Sequence, residues 1–141
     1  MEVYELREVL EAHAARIAAV RSAEEETRPA LLRLDGLVRE GASLAKERRM
    51  ADYNRVDVAF HQTLMDLAGN QRMRRIFDAV HAQVQSVRLR AITLPGRPAK
   101  SQEEHVRLVA AIHRGDAGAA ETEIRHHVTS VKDEVLFALR G

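Results

Sequence analysis

The sequence predicts an all-α fold, an antiparallel bundle of about six helices. Ala, Leu, Glu and Arg are abundant and favour helix. Aromatic residues make up only 4% of the 141 residues, so the aromatic and β-branched alternation of a sheet is scarce. Apolar residues recur at three- and four-residue steps, in runs joined by short connections. Val3, Leu6, Leu10, Ala14 and Ile17 line one face of a first helix over about residues 2–21. Ser22 with Glu25 forms a capping box that would open a second helix, while Pro29 offers an alternative first turn. Leu31, Leu34, Val38 and Leu44 carry that helix to about residue 48, with Gly36 and Gly41 as points where it could bend or break. A third helix is expected over about residues 53–68, stopped by Gly69 at C′, and Asn70 offers the next N-cap. Met73, Phe77, Val80, Val84, Val87 and Ala91 mark the fourth, which ends before Leu94-Pro95-Gly96-Arg97-Pro98. Ser101 and Glu104 are expected to open the fifth as a capping box, and Gly115-Asp116 separates it from a sixth that runs to about residue 139.

Length and 45% hydrophobic content suit one domain over residues 1–141 that buries an adequate core without staples. The absence of cysteine excludes a thiol nucleophile, an iron–sulfur cluster and a Cys-type zinc finger, and removes the usual marker of an oxidising compartment. Lys+Arg 22 against Asp+Glu 21 gives a formal charge of +1, too balanced for a chain whose own surface grips nucleic acid. No apolar run approaches the ~18–20 residues of a membrane helix, and Met1-Glu2-Val3-Tyr4-Glu5 has no secretory character, so a cytoplasmic location is expected. There is no phosphate loop, His-Glu-x-x-His, Gly-x-Ser-x-Gly or dinucleotide fingerprint.

The informative residues are polar ones on apolar stripes. On a helical wheel Asp57 falls among Phe60, Leu64, Leu67 and Ala68, and His61, one turn on, shares its face. An isolated ionised carboxylate in such a place costs several kcal/mol, so it needs a cation, a metal or a set of donors. His105 lies near the centre line of Leu108, Val109 and Ile112. His127 lies about 60° from the centre of the sixth helix's stripe, whereas His126 lies about 160° away and His113 is well off its own stripe. Three helices therefore turn one carboxylate and three imidazoles inward, a donor set that suits a divalent transition metal. Any one inward histidine has a plainer explanation as a hydrogen-bonded core residue; four such groups together are hard to satisfy pairwise.

Glu123-x-x-His126 is a lone Glu-x-x-His, and a di-iron bundle needs two with further glutamates. Glu24-Glu25-Glu26 reads as a solvated first turn, and Arg72, Arg74 and Arg75 as an exposed basic face. Arg7 and Arg88 flank the core lines of their helices by about 70° and 60° and can snorkel inward, where a guanidinium would take a carboxylate. The plainer alternative is a packed stem with a wet head.

The ordered set Glu5-Leu6-Arg7-x-x-Leu10-Glu11, Asp57-x-x-Phe60-His61, Gly69-Asn70, Glu104-His105, Gly115-Asp116 with Ala120, and His127-Val128 resembles the FCD domain, the effector-binding and dimerisation domain of FadR-subfamily GntR transcription regulators. The resemblance runs from about residue 3 to 139 and implies a helical bundle with an interior metal on Asp57, His61, His105 and His127, zinc or nickel first among the candidates. It further implies a small organic acid effector, a homodimer, and DNA contact through a winged helix-turn-helix, a module that this sequence does not contain. Whether the chain is an excised domain or a stand-alone sensor is left open. The expectation is thus a non-enzymatic, metal-containing sensor in which Arg7 and Arg88 receive the effector. A metal-dependent enzyme acting on a small carboxylic acid is the alternative from another class, although no further inward acid offers itself as its general base. A purely structural helical dimer is the third reading.

Overall fold

Among the described residues six helices follow one another: α1 (Glu2–Val20), α2 (Arg28–Lys46), α3 (Met50–Leu67), α4 (Gln71–Ala91), α5 (Arg97–His113) and α6 (Ala117–Arg140), with one 3₁₀ turn at Glu25–Thr27. This computed structural model describes residues 2–141, and no strand occurs among the described residues. The all-α bundle expected from the periodicity is the observed fold.

Helix α1 is the hub, in contact with α3, α4, α5 and α6. Its C-terminal half buries Ala12, Ala14, Ala15, Ala18 and Ala19, small side chains that let neighbouring helices approach closely. Its N-terminal half instead buries Tyr4, Arg7 and Glu11. The apolar core is completed by residues such as Leu34 of α2, Phe60 and Leu64 of α3, Phe77 of α4, Ile112 of α5 and Ile124 of α6, all essentially excluded from solvent.

The helix boundaries correct several expectations. Ser22 and Glu25 do not form a capping box: the Ser22 hydroxyl donates to the Ala19 carbonyl, and α2 starts at Arg28 with Pro29 in its first turn. Proline wins because its fixed φ suits that turn and its missing N–H costs nothing there. Helix α2 passes through Gly36 and Gly41 unbroken, and α3 begins three residues earlier than expected, at Met50. Gly69 takes a left-handed φ of 68° and Asn70 caps α4 by accepting from the Met73 N–H, both as read from the sequence. The Ser101–Glu104 capping box is also absent. Gly96, at φ 76°, and Pro98 start α5 at Arg97, which leaves Ser101 and Glu104 inside the helix with buried side chains. Asp116 caps α6 through the Ala119 N–H.

Candidate metal centre

The site is assembled where α3, α5 and α6 meet beside the polar half of α1. Asp57 and His61 come from α3, His105 from α5 and His127 from α6, and all four are buried. One ring nitrogen from each of the three histidines lies within 4.8 Å of the others. His105 Nε2 and His127 Nε2 are 3.3 Å apart. Asp57 Oδ1 lies 3.7 Å from His105 Nε2 and 3.9 Å from His61 Nε2. Ligand atoms about 2.0–2.1 Å from one zinc ion stand roughly 3.3 Å apart, so His105 and His127 are already at that spacing while Asp57 and His61 would have to draw in.

The orientation of the rings is fixed from behind. His61 Nδ1 bonds to Glu11 Oε1, and His127 Nδ1 lies 2.8 Å from Glu104 Oε1. Burial alone would raise the Glu11 pKa, but Arg7 and His61 outweigh it and hold the carboxyl well below the usual carboxylate range. Glu11 is therefore an acceptor, and His61 donates to it from Nδ1, so that Nε2 is the nitrogen facing the centre. Glu104 is held by the buried Arg97 guanidinium and acts on His127 in the same way. The His105 ring stacks on Phe60, with centroids 4.1 Å apart and planes 15° from parallel. Burial, reinforced by the neighbouring histidines, pushes His105 and His127 well below the ordinary imidazole pKa, so both are neutral near pH 7. Imidazoles with carboxylate-bound Nδ1–H and convergent Nε2 atoms have the arrangement by which outer carboxylates orient metal-binding histidines. On the chemistry of the donor set, the residues fit a divalent ion.

Both candidate arginines are buried, and each is already committed to a carboxylate. Arg7 Nε donates to Glu11 Oε2 at 2.6 Å, and its Nη2 reaches His61 Nε2 at 3.4 Å. Arg88 pairs with Asp57 Oδ2 and donates from Nε to Asn54 Oδ1 at 3.1 Å. Its pKa is pushed down to about 10, by burial and then by Arg7, and it remains a cation at neutral pH. A narrow cavity of about 20 Å³, room for about one water, touches Tyr53, Asp57, Arg88, Arg97, Ser101 and His127 beside the turn between α4 and α5.

His113 pairs with Asp35 and Glu123 with Arg107, away from the cluster, while His126 is 59% exposed at its edge, its ring 3.5 Å from Glu104 Oε2. Arg74 departs from the expected basic face, since it is half-buried between Asp66 and Asp78. The expectation that no further inward acid exists is overturned: Glu11 and Glu104 are both fully buried. Arg97 and His81, likewise buried, were also missed. Glu11 follows Arg7 by four residues on the face that continues to Ala14 and Ala18, and His81 lies four after Phe77 and three before Val84, so the same wheel could have turned both inward.

The FCD domain family matches residues 2–130. The chain is 28% identical to the HTH-type transcriptional regulator LutR of Bacillus subtilis (strain 168), an alignment covering 94% of this chain and 60% of that protein. It is 29% identical to an uncharacterized HTH-type transcriptional regulator in an unstable DNA locus of Streptomyces ambofaciens, over 72% of this chain and 42% of that one. It is 26% identical to a putative L-lactate dehydrogenase operon regulatory protein of Escherichia coli (strain K12), over 92% and 49% respectively. The chain thus spans about half the length of the curated relatives it matches. With the family matched over nearly all of its residues, the chain belongs to the FCD domain family.

Proposed function

We propose that this FCD domain is the ligand-sensing and dimerising part of a GntR-type transcription regulator, its residues 1–141 forming a single domain that binds a small organic acid at an interior metal. Asp57, His61, His105 and His127 would hold a divalent transition ion, zinc or nickel being the leading candidates. When bound, such an ion supplies a Lewis-acidic position for oxygen atoms of the effector. The observation that carries the reading is the pairing of His61 Nδ1 with Glu11 and of His127 Nδ1 with Glu104, which turns the Nε2 atoms of both rings toward one point. Named regulators among the relatives support the regulatory role. DNA contact through a winged helix-turn-helix elsewhere in the regulator, homodimerisation and a cytoplasmic setting complete the proposal.

Charge favours an anionic ligand. Arg7, Arg88 and Arg97 are matched inside the bundle by Glu11, Asp57 and Glu104, and His105 and His127 are neutral, so a divalent ion adds positive charge that the interior does not offset. An acid carboxylate offsets it at the least desolvation cost. Arg7 would assist: its Nε stays on Glu11, while its Nη2, now 3.4 Å from His61 Nε2, would turn to the acid once that nitrogen binds the ion. Sensing is favoured over turnover because both buried acids already hold an arginine and a histidine Nδ1–H, so neither is free as a general base.

Elemental analysis of untagged protein purified without chelators, followed by thermal shifts against organic acids, tests this. One ion per chain and acid-dependent stabilisation that vanishes on chelation are expected. Acid-dependent stabilisation that survives complete metal removal contradicts the proposal, as does steady conversion of an acid by the metal-loaded protein.

A further inference from the structure

The donors of the candidate centre are walled in by packed groups on several sides. Glu11 stands behind His61, Glu104 stands behind His127, and Phe60 lies flat on His105. Another side carries the narrow cavity of about 20 Å³ that touches Asp57 and His127, and the outer wall of that cavity is the turn between α4 and α5. On the other face of the turn lies a groove of about 570 Å³ open to solvent, bounded opposite by Ala45, Arg48 and Met50 at the α2–α3 junction. Ile92 and Pro98 line both spaces. The partition between bulk water and the buried donors is therefore one residue thick at this point.

The turn is built to move as a unit. The N–H groups of Ile92, Thr93 and Leu94 donate to the carbonyls of Arg88, Arg90 and Ala91, the Arg97 N–H donates to the Leu94 carbonyl, and the Thr93 hydroxyl donates to the Arg90 carbonyl. These bonds stay within the turn and the helix ends beside it, so an outward swing keeps them and mainly uncovers the Ile92 side chain, now 8% exposed. Gly96 supplies a hinge, with a left-handed φ of 76° and no atom within 4 Å of where a Cβ would stand. The posts on either side are fixed, because buried Arg88 is paired with Asp57 and buried Arg97 with Glu104. A cavity with room for about one water admits neither a hydrated ion nor an organic acid until a wall moves. We propose that Ile92 is the leaf of a gate: when the α4–α5 turn swings outward between Arg88 and Arg97, the groove and the interior cavity join, and small polar solutes reach Asp57 and His127. That those solutes include a metal ion and an organic acid rests on the preceding reading; the gate does not.

The chain contains no cysteine, so Val131→Cys, on the wall of the interior cavity, places a single thiol behind the gate. Its alkylation by iodoacetamide in metal-free protein reads the opening. In that background Ile92→Ala should speed alkylation about tenfold or more and Ile92→Val by less, because each removes apolar contact that holds the turn shut. Leu31→Ala, which truncates a comparably buried residue of α2, should stay within about twofold of the parent. Alkylation should also be nearly flat in low urea, since a local swing exposes little surface, whereas labelling through the unfolded state rises steeply. No acceleration by Ile92→Ala, equal acceleration by Leu31→Ala, or a urea slope matching that of global unfolding would overturn the gate. In stopped-flow zinc binding, Ile92→Ala should raise the association and release rates together with Kd within about twofold, since a gate changes the barrier and not the end states. A changed Kd at an unchanged association rate would make Ile92 a packing residue and overturn the proposal. If zinc does not bind while the thiol results hold, the metal reading falls and the gate stands.

Discussion

Glu104 connects the candidate centre to the rest of the molecule one residue at a time: it accepts from His127 Nδ1 and from Arg97, whose other contacts reach Ser101, Ser130 and Glu134. Glu104→Gln keeps an acceptor for His127 but weakens the charge that makes its ring a better ligand. Zinc affinity, measured by chelator competition, should fall about 10–100-fold with stoichiometry unchanged. An affinity within about twofold of the parent would show that Glu104 does not act through the ring. A pH dependence belongs to His81, whose pKa is pushed down to about 4 by burial and by the His61 and Arg7 charges. Since the folded value lies below the unfolded value of about 6.5, its contribution to stability is complete above that pH and is lost as pH falls toward 4. Between pH 7 and 5 the metal-free parent should therefore lose more stability to urea than His81→Leu does; parallel losses would mean that His81 titrates normally. Asp57, His61, His105 and His127 were legible as inward residues because strong apolar neighbours define their stripes. Glu11 was hidden by the weak apolar signal of Ala14, Ala15 and Ala18, and Glu104 by its resemblance to the partner of a Ser101 cap. Pairing of acids with imidazoles from other helices is a tertiary fact that no local spacing contains.

At the scale of the helix, α2 shows how two glycines of similar sequence context differ. Gly36 has open space around it, the nearest atom to an added Cβ being the end of Arg39 at 4.0 Å. Gly41 is buried, and a Cβ there would sit 2.8 Å from the Gln102 side chain of α5. Gly36→Ala should stabilise the domain by about 0.5–1 kcal/mol through helix propensity alone, whereas Gly41→Ala should gain less than Gly36→Ala or lose stability, because the buried Gln102 amide has to move aside. Denaturant midpoints separate the two, and equal gains would contradict the close α2–α5 contact. Helix number, order and most ends were readable in the sequence, because the α3–α4 and α5–α6 connections carry left-handed glycines followed by Asn or Asp caps. The start of α2 is at the alternative that Pro29 offered, whereas that of α5 was misread, a Ser-x-x-Glu motif being preferred over the proline three residues earlier that already fixes the backbone for helix entry.

For the molecule as a whole, the polar cluster joins α1, α3, α4, α5 and α6 through buried charges and imidazoles, so whatever occupies it bears on the packing of five helices at once. A ligand changes the arrangement only by its differential affinity for two states, and the centre is where such a difference would be felt. An ion a thousandfold above its Kd stabilises the fold by about 4 kcal/mol. For a domain of this length, removing it should lower the unfolding midpoint by roughly 10 °C or more. Scanning calorimetry before and after dialysis against chelator reads that shift directly, and a midpoint unmoved by chelation would leave the histidines as ordinary core residues. The most direct test of the convergence itself is equilibrium dialysis of the untagged parent, His127→Ala and His126→Ala against zinc. One tightly held ion in the parent and in His126→Ala, with none in a folded His127→Ala, is the result expected from the geometry; no tight ion in the parent, or equal uptake by all three proteins, would contradict it.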